Sequence, residues 1–202
     1  MPKPRERSPK KQSGQSFIEL AIILSVLIMM LAGVVEFGYL LNQYITLVEG
    51  TRETARSASK GDPFTAPGNG IVNQDFLDRV SIATEGGFIG SQPILGSLNP
   101  IELDPTIKDD IVISIFTFAN GNVIRYPSAT GWSRHGNQVS RFSNADIAAK
   151  LVAGSPNTGA ILIEVYYHYH QILNLLEGWT GPLLVHAYSI MPLSAAEPTP
   201  IP

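Results

Sequence analysis

The chain has 202 residues, no cysteine, 14 Lys and Arg against 17 Asp and Glu, and only 15% charged residues beside 44% hydrophobic ones. A net charge of −3 argues against a basic nucleic-acid binder, and the missing cysteines exclude a disulfide scaffold or a cysteine zinc site. The apolar content is enough for a core, which argues against disorder, and the length suits one domain or a domain with an appendage.

Charge is unevenly spread. Residues 1–14 carry Lys3, Arg5, Arg7, Lys10 and Lys11 against the single acid Glu6, a balance of +4 that leaves −7 for the remainder. A basic N-terminal run is either a nucleic-acid arm or a membrane-topology signal. The adjoining segment decides between the two. Phe17 to Val35 is a run of 19 residues with one ionisable group, Glu19. About 20 apolar residues suffice for a helix to cross the hydrocarbon core, and helical pairing satisfies every backbone group there. The run is longer than the apolar region of an ordinary secretory signal, and no A-x-A-like site closes it before Glu36. A retained membrane helix is therefore expected. Basic residues flank only its N-terminal side until Arg52, so the leader is expected in the cytoplasm and the C-terminal part outside.

The helical pattern runs on. Phe37, Leu40, Leu41, Tyr44, Leu47, Val48 and Ala55 lie on one stripe, and Glu49–Arg52 and Glu53–Arg56 are favourable i,i+3 pairs. Gly61, Asp62 and Pro63 end it, which predicts one helix over residues 16–59. Its first half is apolar all round. Its second half is amphipathic and needs a packing partner.

Glu19 stands out, because a carboxylate inside a membrane helix is expensive and marks function by default. One reading has it snorkel to the cytoplasmic interface. In the other, cleavage after Gly14 makes Gln15 the first residue and Glu19 the fifth. The carboxylate then pairs with the new α-ammonium of an adjacent copy, giving assembly register.

Basic leader, Gly14, Gln15-Ser16-Phe17-Ile18-Glu19 and a long apolar helix resemble the class III signal of type IV pilin-like proteins. With Glu36, Phe37 and Gly38 behind the apolar run, and the Ala- and Arg-rich turn Thr51 to Ala58, residues 14–60 resemble the TadE-like family of the tight-adherence pilus system. The resemblance implies a minor pilin or pseudopilin that a membrane prepilin peptidase cuts after Gly14. The partners it implies are that peptidase, other pilins or pseudopilins, and membrane lipid. Two residues depart from the family habit: Leu20, where phenylalanine is common, and Ser25, in a zone where many relatives carry proline. The second implies an unkinked helix.

After a Gly/Pro linker at residues 61–70, the apolar positions Ile71, Val72, Phe76, Val80 and Ala83 predict a short helix stopped by Gly86-Gly87. Alternation predicts strands over residues 111–118 and 122–127, joined at Asn120-Gly121, a strong hairpin signal, and followed by a loop to Asn137. Ser143 with Asp146 reads as a capped helix with Ile147, Ala148, Leu151 and Val152 on its face and Gly154 as its stop. Strands are expected over residues 160–170 and 183–191, and a proline-rich tail over residues 197–202. The fold class is therefore α+β: a leader over residues 1–14, a long helix over residues 15–60, and an antiparallel sheet domain with short helices over residues 61–196.

A search for sites finds little. His168 and His170 would share one face of a strand, with His186 on a neighbouring strand, a weak half of a metal site that has no carboxylate at an obvious spacing. Tyr166, Tyr167 and Tyr169 read as a sheet face open to solvent or a partner. Trp132 reads as a packed loop anchor, with a contact role as the alternative. There is no G-x-S-x-G, phosphate loop or H-E-x-x-H motif. No enzyme activity, cofactor or nucleic-acid partner is expected. The expected role is pilus assembly. The alternative is a single-span envelope protein whose outer domain binds a ligand or partner without pilus assembly.

Overall fold

A computed structural model of the chain describes residues 13–66, 70–90, 101–119, 122–150, 159–173 and 181–193. The chain divides into two compact units, Met1–Tyr39 and Leu40–Pro202. Helix α1, Ser13–Ala58, contributes to both. Gly33, Gly38 and Ser25 all lie inside it without breaking the helical pattern. Ser25 returns its hydroxyl to the Ala21 carbonyl at 2.8 Å, which satisfies the donor within the helix.

In the second unit, α1 buries a stripe rotated from the apolar one expected, sharing Leu47 and Ala55 with it. Gln43, Thr46, Leu47, Thr51, Thr54, Ala55 and Ala58 are inside, whereas Leu41 and Tyr44 are exposed. The reason is close approach to a second helix, α2, Gln74–Gly90. A Cβ at Gly50 would stand 2.7 Å from Cδ1 of Phe88, and one at Gly87 would stand 3.6 Å from the Cα of Gly50. Small residues let the two backbones meet, and large apolar side chains would hold them apart. The buried threonines stay satisfied by donating back along the helix, Thr46 to Asn42 at 3.0 Å and Thr51 to Leu47 at 2.9 Å.

Helix α2 starts two residues later than Val72 and runs through Gly86-Gly87 instead of stopping there. Asn73 caps it, its side chain accepting the Asp75 N–H at 2.9 Å. Phe76, Leu77, Val80, Ser81, Thr84 and Phe88 form its buried face. Glycine is a poor helix residue by about 1 kcal/mol. At Gly87 the contact with Gly50 supplies a packing reason for it.

The sheet has five antiparallel strands: β1 Asp110–Ala119, β2 Asn122–Tyr126, β3 Trp132–Ser133, β4 Ala160–Tyr169 and β5 Leu183–Pro192. The order is β2-β1-β4-β5, with β3 pairing β1 beyond β2. Four of these match the expected strands closely. The fifth, β3, falls in the stretch read as loop. It is only two residues long and depends on Gly131, whose φ is +83° and where a Cβ would lie 2.5 Å from the Ser114 hydroxyl. Only glycine fits there. Trp132 is half-buried in β3, opposite Ile113. The Asn120-Gly121 turn, Leu151, Val152, Gly154 and the tail from residue 197 lie outside the described residues.

Strand parity assigns two covered faces. On one, Phe116 and Leu162 pack with Ile147 of the third helix, α3, Asn144–Lys150, with Phe118, Val123, Phe142 and Ile190 at the margin. The capping box is reciprocal: Asp146 N–H donates to the Ser143 hydroxyl, and Ser143 N–H donates to the Asp146 carboxylate at 2.7 Å. Ser143's hydroxyl and N–H hold the Asp146 carboxyl below its usual value. On the other face lie Ile111, Ile113, Ile115, Ile161, Ile163 and Val165, all fully buried. Tyr167 there is hydrogen-bonded to Gln43 of α1. The expectation that Tyr166, Tyr167 and Tyr169 form an open face is therefore overturned. All three are buried, because both sides of β4 are covered.

Candidate functional site

Two sets of residues carry functional weight, and they lie in different units. The first is on α1. Gly14 and Gln15 sit in its first turn, and Glu19 is exposed among exposed apolar neighbours. From Phe17, 73% exposed, through Met29, also 73%, to Val34, 70%, large apolar side chains point outward all round the helix. A water-facing surface of this kind and extent is not stable by itself and marks a segment covered by lipid or protein. Among the described residues, α1 is the one helix long and apolar enough to cross a membrane. Glu36 is half-buried, while Phe37 and Gly38 are exposed; nothing lies within 4 Å of where a Gly38 Cβ would stand.

The second set is in the sheet domain, where charge is inside. Asp109, Asp110 and Glu164 are all fully buried. Isolated buried carboxylates are prohibitive, so each has to collect donors. Asp110 collects five. One oxygen accepts the N–H groups of Ile111 at 2.8 Å and His135 at 3.0 Å. The other accepts the Ser133 hydroxyl at 2.5 Å and the N–H groups of Asn137 at 2.8 Å and Gln138 at 2.9 Å. The loop after β3 is wound around this side chain. Arg134 then reaches α2, donating to Ser81 at 3.2 Å and pairing with Glu85 at 3.1 Å.

Asp109 accepts both the N–H and the Nδ1 of His168 at 2.7 Å. His168 is thus given a carboxylate partner from 59 positions upstream, which no local spacing could reveal. His170 lies past the end of β4 and is exposed, so the two histidines do not form one strand-borne site. His186 sits opposite Tyr166 on β5 and meets Glu164 through Nε2 at 3.1 Å. The same Glu164 oxygen accepts the Tyr166 hydroxyl at 3.1 Å and the Arg141 N–H at 3.0 Å. Burial and the Glu164 charge push the Tyr166 phenol well above its usual range. Among the described residues there is no cluster of three or more His, Cys, Asp or Glu placed to hold a metal ion.

Beside this network an open groove of about 600 Å³ is lined by Arg141, Phe142, Asp146, Lys150, His186 and Tyr188. The Tyr166, His186 and Tyr188 rings succeed one another at 4.7 and 5.9 Å, and Phe142 meets Tyr188 at 4.7 Å. Sequence reasoning missed this groove, because its residues come from two separate stretches of chain, 141–150 and 186–188. The one local clue was the Tyr- and His-rich composition of β4 and β5.

No curated protein and no solved structure matches the chain. Residues 14–56, which span the apolar run, Glu19 and the Glu36-Phe37-Gly38 signature, match the family model of TadE-like proteins, and this segment of the chain is TadE-like.

Proposed function

We propose that the chain is a minor pilin or pseudopilin of a tight-adherence pilus or related secretion system, with an assembly role and no catalytic one. The observation that carries this reading is the coincidence of the TadE-like match with a helix whose apolar side chains are exposed all round. The helix anchors the chain in the cytoplasmic membrane as a single pass. The basic leader stays in the cytoplasm, and the sheet domain is exported. A prepilin peptidase cuts between Gly14 and Gln15, leaving 188 of the 202 residues. Glu19 then pairs with the α-ammonium of Gln15 on an adjacent copy, or with the N-terminal α-ammonium of another pilin or pseudopilin. In hydrocarbon neither charge is stable alone, so the pair sets the axial register between helices.

N-terminal mass analysis of the chain extracted from membranes tests the reading. The expected species begins at Gln15. An intact start at Met1 or Pro2, in cells with active prepilin peptidase, would leave the alternative of a single-span envelope protein that binds its partner without pilus assembly. Gly14→Ala should block the cut. Glu19→Ala should leave the cut in place and reduce co-purification with partner pilins. Undiminished co-assembly of that variant would remove the charge-pair role.

A further inference from the structure

The last strand of the sheet is, among the described residues, an open edge. Among the described residues β5 pairs only with β4, so alternate residues along its ten-residue length turn their N–H and C=O groups away from the sheet. Exposed edges are normally blunted by charge, by bulges or by brevity. Strand β5 reads LLVHAYSIMP. It has no Lys, Arg, Asp or Glu, and its register with β4 is continuous over all ten residues. Leu183 and Tyr188 are exposed.

Two grooves flank this edge. One is the groove of about 600 Å³ on the α3 side, rimmed by Arg141 and Lys150. The other, of about 450 Å³, lies between α1 and β5 and is lined by Tyr44, Val48, Arg52, Tyr188 and Met191. Tyr188 belongs to both, so the grooves meet across the edge itself. A strand added to β5 would send successive side chains alternately into the two grooves. Their rims hold three cations, Arg52, Arg141 and Lys150. The one carboxylate on their linings, Asp146, stays ionised in its bonds with Ser143 and offsets one of these charges, leaving the rims cationic on balance.

We infer that β5 is a docking edge for an extended, acidic segment of another protein, which adds as a sixth strand. Main-chain bonds to β5 supply the binding, and the cations flanking both grooves select carboxylate side chains. His186 stiffens the floor of the larger groove, because its ring is held between Tyr166 and Tyr188 and tied to buried Glu164. The inference concerns the second unit, Leu40–Pro202, alone and holds whether or not the chain is cut after Gly14.

The test uses the full chain in detergent micelles and a fluorescent decapeptide alternating threonine and glutamate, read by anisotropy. Three controls accompany it: the same peptide with lysine for glutamate, the acidic peptide N-methylated at alternate amides, and free glutamate. Saturable binding of the acidic peptide alone supports the inference. Arg141→Glu with Lys150→Glu, both at exposed positions, should weaken it by about tenfold, and Arg52→Glu by a few-fold, roughly the scale of exposed charge pairs. An unchanged urea midpoint in these variants separates lost binding from lost folding. Equal binding of the N-methylated peptide would overturn strand addition, and equal binding of the lysine peptide would overturn the charge selection. Binding only to a variant ending at Leu193 would also overturn the inference, by making this chain's own last nine residues the occupant.

Discussion

The two units solve opposite solvation problems. In residues 13–39, α1 turns phenylalanine, leucine, isoleucine and methionine outward all round. In the sheet domain three carboxylates are drawn fully inside, beside strand cores built mainly of isoleucine, valine and leucine. The first unit suits a hydrocarbon surrounding and needs no tertiary partner within the chain to be a helix. The second suits water, and its buried charges tie loops to strands. A residue's contribution to folding should therefore depend on which unit holds it, far more than on its hydrophobicity.

The largest effect should come from Asp110→Ala. It strips the acceptor from five buried or half-buried donors, so the sheet domain should lose about 3–5 kcal/mol in urea unfolding of the detergent-solubilised chain. A loss below about 1 kcal/mol, within the range of ordinary surface changes and single neutral hydrogen bonds, would show that the loop after β3 is held by something else. Next is Gly50→Ala. Its new methyl group meets the Phe88 ring, and overpacking of this kind costs about 1–3 kcal/mol. Adding Phe88→Leu should recover part of that loss. A pair of losses that simply add would mean that the helices do not meet at this point.

A pH scan probes the covered sheet face. Burial, aided by the Asp109 charge, raises the Tyr167 phenol from 10.0 to about 12. The folded state therefore holds this proton more tightly than the unfolded chain. The corresponding stability is complete below about pH 10 and is lost as pH climbs towards 12. Urea midpoints should fall over that window, and Tyr167→Phe should flatten part of the fall. An identical pH profile in the variant would place the titration elsewhere. The smallest effect belongs to the first unit: Leu27→Ala should leave domain unfolding within about 0.5 kcal/mol of the parent, although the same change in a core costs about 2–5 kcal/mol. A larger shift would break the contrast between the units.

How much of the molecule was readable depended on the range of the interactions. The apolar run, Glu19 and the Glu36-Phe37-Gly38 segment are contiguous, so the helix and its TadE-like character derive from residues within a few turns of each other. Strands β1, β4 and β5 were legible because alternation or β-branched and aromatic content is a local signal. The stripe of α1 was placed only in part, because a hydrophobicity pattern also favours Leu41 and Tyr44, which are exposed. Burial instead went to Thr51 and Thr54, beside Leu47 and Ala55 of the expected stripe, where small side chains permit close backbone contact. Helix α2 passed through Gly86-Gly87 for the same reason: the sequence shows glycine's helix penalty and not the Gly50 backbone that it meets.

By itself the sequence determined the long helix, its apolar first half, the α+β class and the segment that resembles TadE-like proteins, all products of local periodicity and composition. Only the tertiary structure decided which carboxylate holds which histidine, that both faces of β4 are covered, and that β5 is, among the described residues, an edge between two cation-rimmed grooves. Those outcomes join residues from about 20 to well over 100 positions apart. Strand order and buried hydrogen bonding set such pairings, and no periodicity along the chain encodes them.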